Sequence, residues 1–178
     1  METGYKIVDI MTNKPITAHK DMTLKDAAVL LSKEDVNSLI IVEDKKPVGI
    51  VTDEDIVRKC VAMGLDSKKL TLKDIAFTDL VMITQDKDMM DALKLMREHN
   101  IRQLPVIEKN LLVGFVTLKD ILKIQPDLMD IWMEQYELLE GSNRLKEIED
   151  IENDDGSEKF FKKLKIKSKL KASSKKKK

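Results

Sequence analysis

The sequence predicts an α+β fold made of two β-α-β-β-α units packed together with pseudo-twofold symmetry. Three observations predict it. A segment returns without a gap at an offset of 65 residues, each copy alternates strand and helix patterns in one order, and one copy is too short to stand alone. Gly49-Ile50-Val51-Thr52-Asp53-Glu54-Asp55-Ile56 becomes Gly114-Phe115-Val116-Thr117-Leu118-Lys119-Asp120-Ile121. Aligning positions 7–60 with 72–125 makes 14 of the 54 pairs identical, and apolar positions exchange one aliphatic for another, as in Ile41/Val106. A fixed-period repeat sets the fold, because copies bury their faces on each other. A unit of about 55 residues leaves too much surface exposed for independent stability.

Each copy is predicted to open on a short extended segment, Pro15-Ile16-Thr17-Ala18 and Leu80-Val81-Met82-Ile83. Thr23-Leu24-Lys25-Asp26 then starts a helix, with a Thr that can cap and an acid three residues later. Leu24, Ala27, Ala28 and Leu31 keep helical spacing. Asp88-Met89-Met90-Asp91 starts the second copy's helix, followed by Leu93, Leu95 and Met96. Residues 38–42 and 47–51 are β-branched runs across Glu43-Asp44-Lys45-Lys46, which predicts a hairpin with a loop of four to five residues. Residues 104–107 and 112–116 repeat the hairpin across Glu108-Lys109-Asn110-Leu111. Thr52-Asp53-Glu54-Asp55 opens a second helix that carries Ile56, Val57, Cys60 and Val61 and ends at Gly64. Thr117-Leu118-Lys119-Asp120 opens its counterpart through Leu122 and Ile124. Pro105 stands where the first copy has Ile40, and a proline without an N–H suits an edge strand or a bulge.

The predicted organisation is repeat one over 6–63, repeat two over 71–125, an acidic amphipathic helical extension over 126–152 and a flexible Lys-rich tail over 153–178. In the extension, Leu128, Ile131, Trp132, Gln135, Leu138 and Leu139 form a broad stripe, interrupted at Gly141. The stripe packs back onto the repeats or covers a partner copy.

The net charge of zero conceals an uneven distribution. Residues 1–125 hold 19 Lys+Arg and 20 Asp+Glu, residues 126–158 hold 2 and 12, and residues 159–178 hold 11 Lys and no acid. The basic end is read as a solvated tail. The alternative is RNA or DNA contact through residues 159–178 by counterion release, with Phe160 and Phe161 stacking on bases. Cys60 is the single cysteine, so no intrachain disulfide forms. No signal-peptide pattern is visible, and no apolar run approaches the ~20 residues of a membrane helix. A cytoplasmic protein without a membrane span is expected. His19 and His99 lack metal-site spacing, and no nucleophile–base pair, P-loop or dinucleotide glycine cluster occurs. No enzyme activity, catalytic residue, metal or resident cofactor is expected.

Thr52…Asp55 and Thr117…Asp120 admit two compatible readings. Thr-x-x-Asp before an apolar helix is a capping box, and the same spacing recurs at Thr23…Asp26 and Thr71…Asp74. A helix start directly after a strand is also an anion site, because free amides and the helix dipole face the ligand.

The order of elements, the pairing of Ile101-Arg102-Gln103-Leu104-Pro105-Val106 with Gly114-Phe115-Val116-Thr117-Leu118-Lys119-Asp120, and the tandem spacing resemble the cystathionine-β-synthase (CBS) domain family. Two units in tandem resemble the CBS pair, or Bateman module, over roughly residues 6–125. The resemblance implies a non-catalytic regulatory sensor that binds an adenosyl ligand (AMP, ADP, ATP or S-adenosylmethionine) between the repeats and signals to an unidentified protein partner. It also implies a homodimer. The implied ribose ligands are Asp55 and Asp120, with Thr52 and Thr117 near phosphate. For the base it implies Ile16 and Val36 with Phe115 at the Asp120 site, and Val81 and Ile101 with Ile50 at the Asp55 site. Aliphatic core packing is the alternative reading of each. A scaffolding or nucleic-acid-associated role using the tail is the alternative function.

Charge distinguishes the two sites. Asp53, Glu54 and Asp55 put three acids on the first turn of copy one, whereas copy two has Leu118, Lys119 and Asp120. Arg102 replaces Asn37 and adds a forked donor suited to phosphate, and Gln103 replaces Ser38 beside it. A phosphate-bearing ligand is therefore expected to prefer the Asp120 site. Calorimetric titration with AMP should show a larger loss of affinity in Asp120→Ala than in Asp55→Ala, and equal losses would defeat the expectation.

Overall fold

Each repeat folds into a three-stranded mixed sheet whose middle strand buries three consecutive residues and whose last strand alternates. In the first sheet β1 (Thr17–Ala18) runs parallel to β2 (Ser38–Glu43), which pairs antiparallel with β3 (Lys46–Thr52). In the second, β4 (Ile83–Thr84), β5 (Gln103–Glu108) and β6 (Leu111–Thr117) do the same. A register shift falls between Ile41 and Val42 in one sheet and between Val106 and Ile107 in the other, so even the irregularity repeats at the 65-residue offset. This computed structural model describes residues 3–128 together with Met133, and residues 1–128 form one compact unit. The predicted extension and Lys-rich tail lie outside the described residues, save for positions 126–128 and 133.

Both hairpins are tighter than the sequence suggests. Glu43 pairs with Lys46 and Glu108 with Leu111, which leaves two-residue loops in place of four to five. Asp44 and Lys45 take φ of 49° and 63°, and Lys109 and Asn110 take 50° and 66°. Positive φ at both central residues is the turn geometry that matches the twist of paired strands. The absence of glycine from both turns hid it.

The helices α2 (Leu24–Glu34) and α5 (Met89–Glu98) start on capping side chains. Thr23 Oγ1 accepts from the Asp26 amide, and Asp88 Oδ1 accepts from the Met90 amide. Asp35 and Asn100, at aligned positions, turn left-handed (φ 52° and 50°) where these helices end. The second helix of copy one differs from its prediction. After α3 (Asp53–Ile56) the coil widens into a π-helical turn over Val57–Val61, and Gly64 follows at φ 62°. In this wider turn Cys60 is fully buried, while Val57 and Val61 are exposed. Burial pushes the Cys60 thiol above its ordinary range, with a smaller push from Asp66. The counterpart α6 (Leu118–Ile124) is regular.

Sequence pairing gives no sign of the most consequential feature. The segment leading into each repeat packs on the other repeat. Ahead of copy two, Leu24 N donates to Leu70 O and Leu72 N to Met22 O (both 2.9 Å), and Ile50 and Phe77 exchange backbone bonds of 3.0 Å. Ahead of copy one, Ile7 N donates to Lys87 O (2.9 Å), Met89 N to Tyr5 O (3.0 Å), and Thr12 and Phe115 exchange bonds of 2.8 and 3.0 Å. Each lead carries one helical turn, α1 (Ile7–Ile10) and α4 (Leu72–Ile75). Leu72 and Ile75 belong to the core of repeat one, alongside Leu24, Ala27, Leu39 and Val51. The leads lie so close that a Cβ on Gly49 would sit 3.4 Å from Ala76 Cβ. On Gly114 it would sit 2.3 Å from Met11 Sδ, at the aligned position.

Pro105 is also corrected. It lies buried in β5, the middle strand of its sheet, rather than on an edge. The strand tolerates it because pairing with β4 begins one residue later, at Ile83 with Val106.

Leu72→Ala should lower stability by about 2–5 kcal/mol, the cost of a core cavity, and by packing it belongs to the core of repeat one although it opens repeat two in sequence. Val29→Ala, on the exposed face of repeat one itself, should change it by about 0.5 kcal/mol or less. Urea unfolding of both variants checks the exchange.

Candidate functional site

The sheets meet through β3 and β6. Ser38 Oγ donates to Gln103 Oε1 across 3.0 Å, joining two residues that occupy the same position in the two copies. A bond between aligned positions marks the pseudo-twofold axis. Beside it opens a cavity of about 1320 Å³, roomy enough for a nucleotide-sized ligand.

One wall is apolar and comes from three elements. Alternation along β3 turns Gly49 and Val51 inward and leaves Ile50 and Thr52 at the cavity. The lead before β4 brings Phe77, Leu80 and Val81, and Ile101 and Pro105 complete the wall. Phe77 is 51% exposed, and its backbone bonds to Ile50 hold it at the rim.

The other wall is charged, with three acids, Asp53, Glu54 and Asp79, against three bases, Arg102, Lys119 and Lys123. The acids of the Thr52 corner are already engaged. Asn37 Nδ2 donates to Asp53 Oδ2 (3.1 Å), and Glu54 pairs with Arg58. By contrast, among the described residues neither Arg102 nor Lys119 carries an ion pair, and both are exposed. Arg102 is fixed from behind, where its carbonyl accepts from the Leu118 amide (2.9 Å). Free positive charge therefore concentrates at the start of α6.

Both Thr-x-x-Asp segments form complete capping boxes. Thr52 Oγ1 accepts from Asp55 N (3.1 Å) and donates to Asp55 Oδ2 (2.8 Å), which also accepts from Thr52 N (3.0 Å). Thr117 and Asp120 repeat this at 3.3, 2.6 and 3.0 Å. Asp55 Oδ1 pairs with Lys59 at 2.7 Å, whereas Asp120 Oδ1 is 3.8 Å from Lys123. The second carboxylate oxygen of Asp120 is thus the less committed of the two.

Of the residues singled out in the sequence, Thr52, Ile50, Asn37, Val81, Ile101, Arg102, Gln103, Thr117 and Lys119 line this one cavity. The structure brings together the apolar wall assigned to the Asp55 site and the cations assigned to the Asp120 site. Asp55 and Asp120 lie behind the lining, held in their caps. Ile16, Val36 and Phe115 belong to the pseudo-symmetric side: Ile16 O accepts from Ile40 N (3.3 Å), Val36 N donates to Leu31 O (3.1 Å), and Phe115 is paired with Thr12. Sequence reasoning missed Phe77, Asp79 and Leu80, since the lead was read as part of its own repeat. It also missed Asn100 and His99 at the end of α5. An aromatic residue in an otherwise polar linker, Phe77-Thr78-Asp79, was the available signal. No cluster of metal-ligating side chains occurs among the described residues, nor any helix long and apolar enough to cross a membrane.

Two sheet-and-helix units, exchanged leads and a cleft on a pseudo-dyad define a tandem regulatory-domain pair. The family model of the CBS domain matches residues 7–62 and 72–127, and the chain belongs to that family. It is 33% identical over 115 residues to the CBS domain-containing protein YhcV of Bacillus subtilis, covering 65% of this chain and 81% of that one. It is 32% identical over 123 residues to the uncharacterized protein MK0525 of Methanopyrus kandleri, covering 68% of this chain but only 60% of that protein. Among solved structures it is similar to the CBS domain pair of protein MJ0100 in complex with 5′-methylthioadenosine and S-adenosyl-L-methionine. That match has a TM-score of 0.62 and 32% identity, and covers 67% of this chain and 94% of the other.

Thr117→Ala removes one partner of a capping box and should cost about 0.5–2 kcal/mol. Thr117→Ser keeps the hydroxyl and should stay near wild type. Thermal unfolding of the two variants separates the capping role of the hydroxyl from its methyl contacts.

Proposed function

We propose that this chain is a regulatory, non-catalytic module that binds an adenosyl ligand in the cavity beside the Ser38–Gln103 axis. One observation carries the reading. A single cavity joins an apolar wall of Ile50, Phe77, Val81 and Ile101 to two cations beside a helix start, Arg102 and Lys119, that carry no ion pair among the described residues. A purine needs the first, and its face stacks on Phe77. A 5′ phosphate needs the second, through charge-assisted hydrogen bonds and the α6 dipole. Asp120 Oδ1 is the candidate acceptor for ribose hydroxyls. Asp53 and Asp79 in the same lining carry no ion pair among the described residues and suit a ligand with a cationic group, so S-adenosylmethionine remains in the class alongside AMP, ADP and ATP. The adenosyl compounds bound by the MJ0100 pair support the same class.

Because the cavity straddles the contact between repeats, occupancy alters how they pack and hence the surface offered to a partner, a second copy or another protein. The nucleic-acid alternative rests on residues 159–178, outside the described residues.

Titration of the full chain with AMP and with 5′-methylthioadenosine, which lacks the phosphate, tests the reading. Arg102→Ala should weaken AMP at least about tenfold, the worth of one charge-assisted bond, and leave methylthioadenosine within about twofold. Absence of binding by AMP, ATP, S-adenosylmethionine and methylthioadenosine to the wild type would overturn the proposal.

A further inference from the structure

One side chain ties together two walls of the cavity that lie far apart in the chain. Lys59 Nζ pairs with Asp55 Oδ1 at 2.7 Å and donates to the Ile75 carbonyl at 2.9 Å. Asp55 belongs to the Thr52 capping box, and Thr52 and Asp53 line the cavity. Ile75 ends α4, and Phe77, two residues on, is the aromatic residue of the apolar wall. A helix leaves its last carbonyls without intrahelical partners, and a lysine can satisfy one of them. Here it does so where the lead turns from α4 into the cavity wall. The Lys59 and Asp55 side chains are 26% and 22% exposed, so solvent screens them less than an open pair such as Glu54 with Arg58.

The strut belongs to copy one. Ile124 stands at the position aligned with Lys59 and has no donor, so it can form neither bond. Asp120 Oδ1 is left 3.8 Å from Lys123. Lys59 also lies in the π-helical turn Val57–Val61, whereas α6 is regular. Turns of this kind recur at functional sites. This one buries Cys60, exposes Val57 and Val61, and leaves Lys59 half-buried and bonded to the lead.

We propose that Lys59 is a positioning residue for the cavity, a strut that locks the lead so that Phe77 is held against Ile50 before a ligand arrives. This rests on the adenosyl reading above and adds what sets the shape of the apolar wall. Phe77 is half exposed, and the two backbone bonds of 3.0 Å that it exchanges with Ile50 are its attachment to β3. An aromatic side chain that must be ordered on binding costs affinity, and one held in place beforehand does not. Lys59 supplies that order through Ile75 and stands outside the cavity lining. The same ammonium takes up the Asp55 oxygen that capping leaves over, which ties the Thr52 corner to the lead.

Lys59→Met removes both bonds and keeps an unbranched side chain, and Lys59→Arg keeps donors for both. Deuterium exchange reads the strut in the full chain without ligand. In Lys59→Met the Ile50 and Phe77 amides should exchange at least about fivefold faster than in wild type, as a locally loosened segment does. The Thr12 and Phe115 amides, the aligned pair on the other side of the pseudo-dyad, should keep their rates. Titration reads the consequence. Lys59→Met should weaken both 5′-methylthioadenosine and AMP by about threefold to tenfold, the range of one hydrogen bond, and Lys59→Arg should stay within about twofold of wild type.

Equal acceleration of both amide pairs would mean a general loss of stability, and a loss of affinity confined to AMP would mean an effect of charge. Either result, or unchanged methylthioadenosine affinity in Lys59→Met, overturns the positioning role while leaving the adenosyl reading intact. Failure of both compounds to bind wild type overturns the adenosyl reading and this assignment with it.

Discussion

The reciprocal packing of the two leads is the constraint on which the rest depends. A repeat of this size cannot cover its own sheet, and here each is completed by a segment from ahead of the other. Leu72 and Ile75 enter the core of repeat one, and the lead carrying Ile7 and Met11 packs on repeat two. Neither copy is a folding unit by itself. Because backbone bonds run both ways, moving one repeat relative to the other must disturb both cores, so the pair has a defined resting geometry.

That geometry creates the cavity. The exchange carries Phe77 to the end of β3 and places Leu80 and Val81 in one cavity with Ile50, while a bond inside repeat two, Leu118 N to Arg102 O, sets Arg102 beside the start of α6. Ser38 and Gln103 then close the pseudo-dyad with a direct hydrogen bond. The capping boxes at Thr52 and Thr117 have a double consequence. They stop the strands and start the helices, and they commit part of each Asp carboxylate to the backbone, leaving Asp120 more available than Asp55. Capping takes one oxygen of each carboxylate, Oδ2, and the other, Oδ1, is the one that faces Lys59 or Lys123.

Duplication supplied two equal halves, and substitution made them unequal. Asn37 became Arg102, Glu54 became Lys119 and Ile40 became Pro105 at aligned positions. The first two exchange a self-neutralised corner for one with free positive charge. The third deletes a sheet hydrogen bond and delays strand pairing by one residue. The unequal features all border one cavity, which is why a symmetric scaffold presents an asymmetric site.

The repeat itself, the helix starts at Thr23, Asp88, Thr52 and Thr117, and the strand runs were legible in the sequence because each depends on neighbours a few residues away. Caps need a side chain two or three positions from an amide, and strands need runs of apolar or β-branched residues. Nine of the fourteen residues singled out for the site converge on the cavity for the same reason: the strand-to-helix corners that carry them are locally encoded. The two-residue turns and the π-helical turn escaped because no glycine or proline marks them. Only the tertiary structure decided which lead covers which core, that Phe77 and Val81 share a cavity with Thr117, and that Pro105 lies in a central strand. Those are contacts between residues far apart in the chain, and chain order is silent about which of two equally apolar sheets a lead will cover.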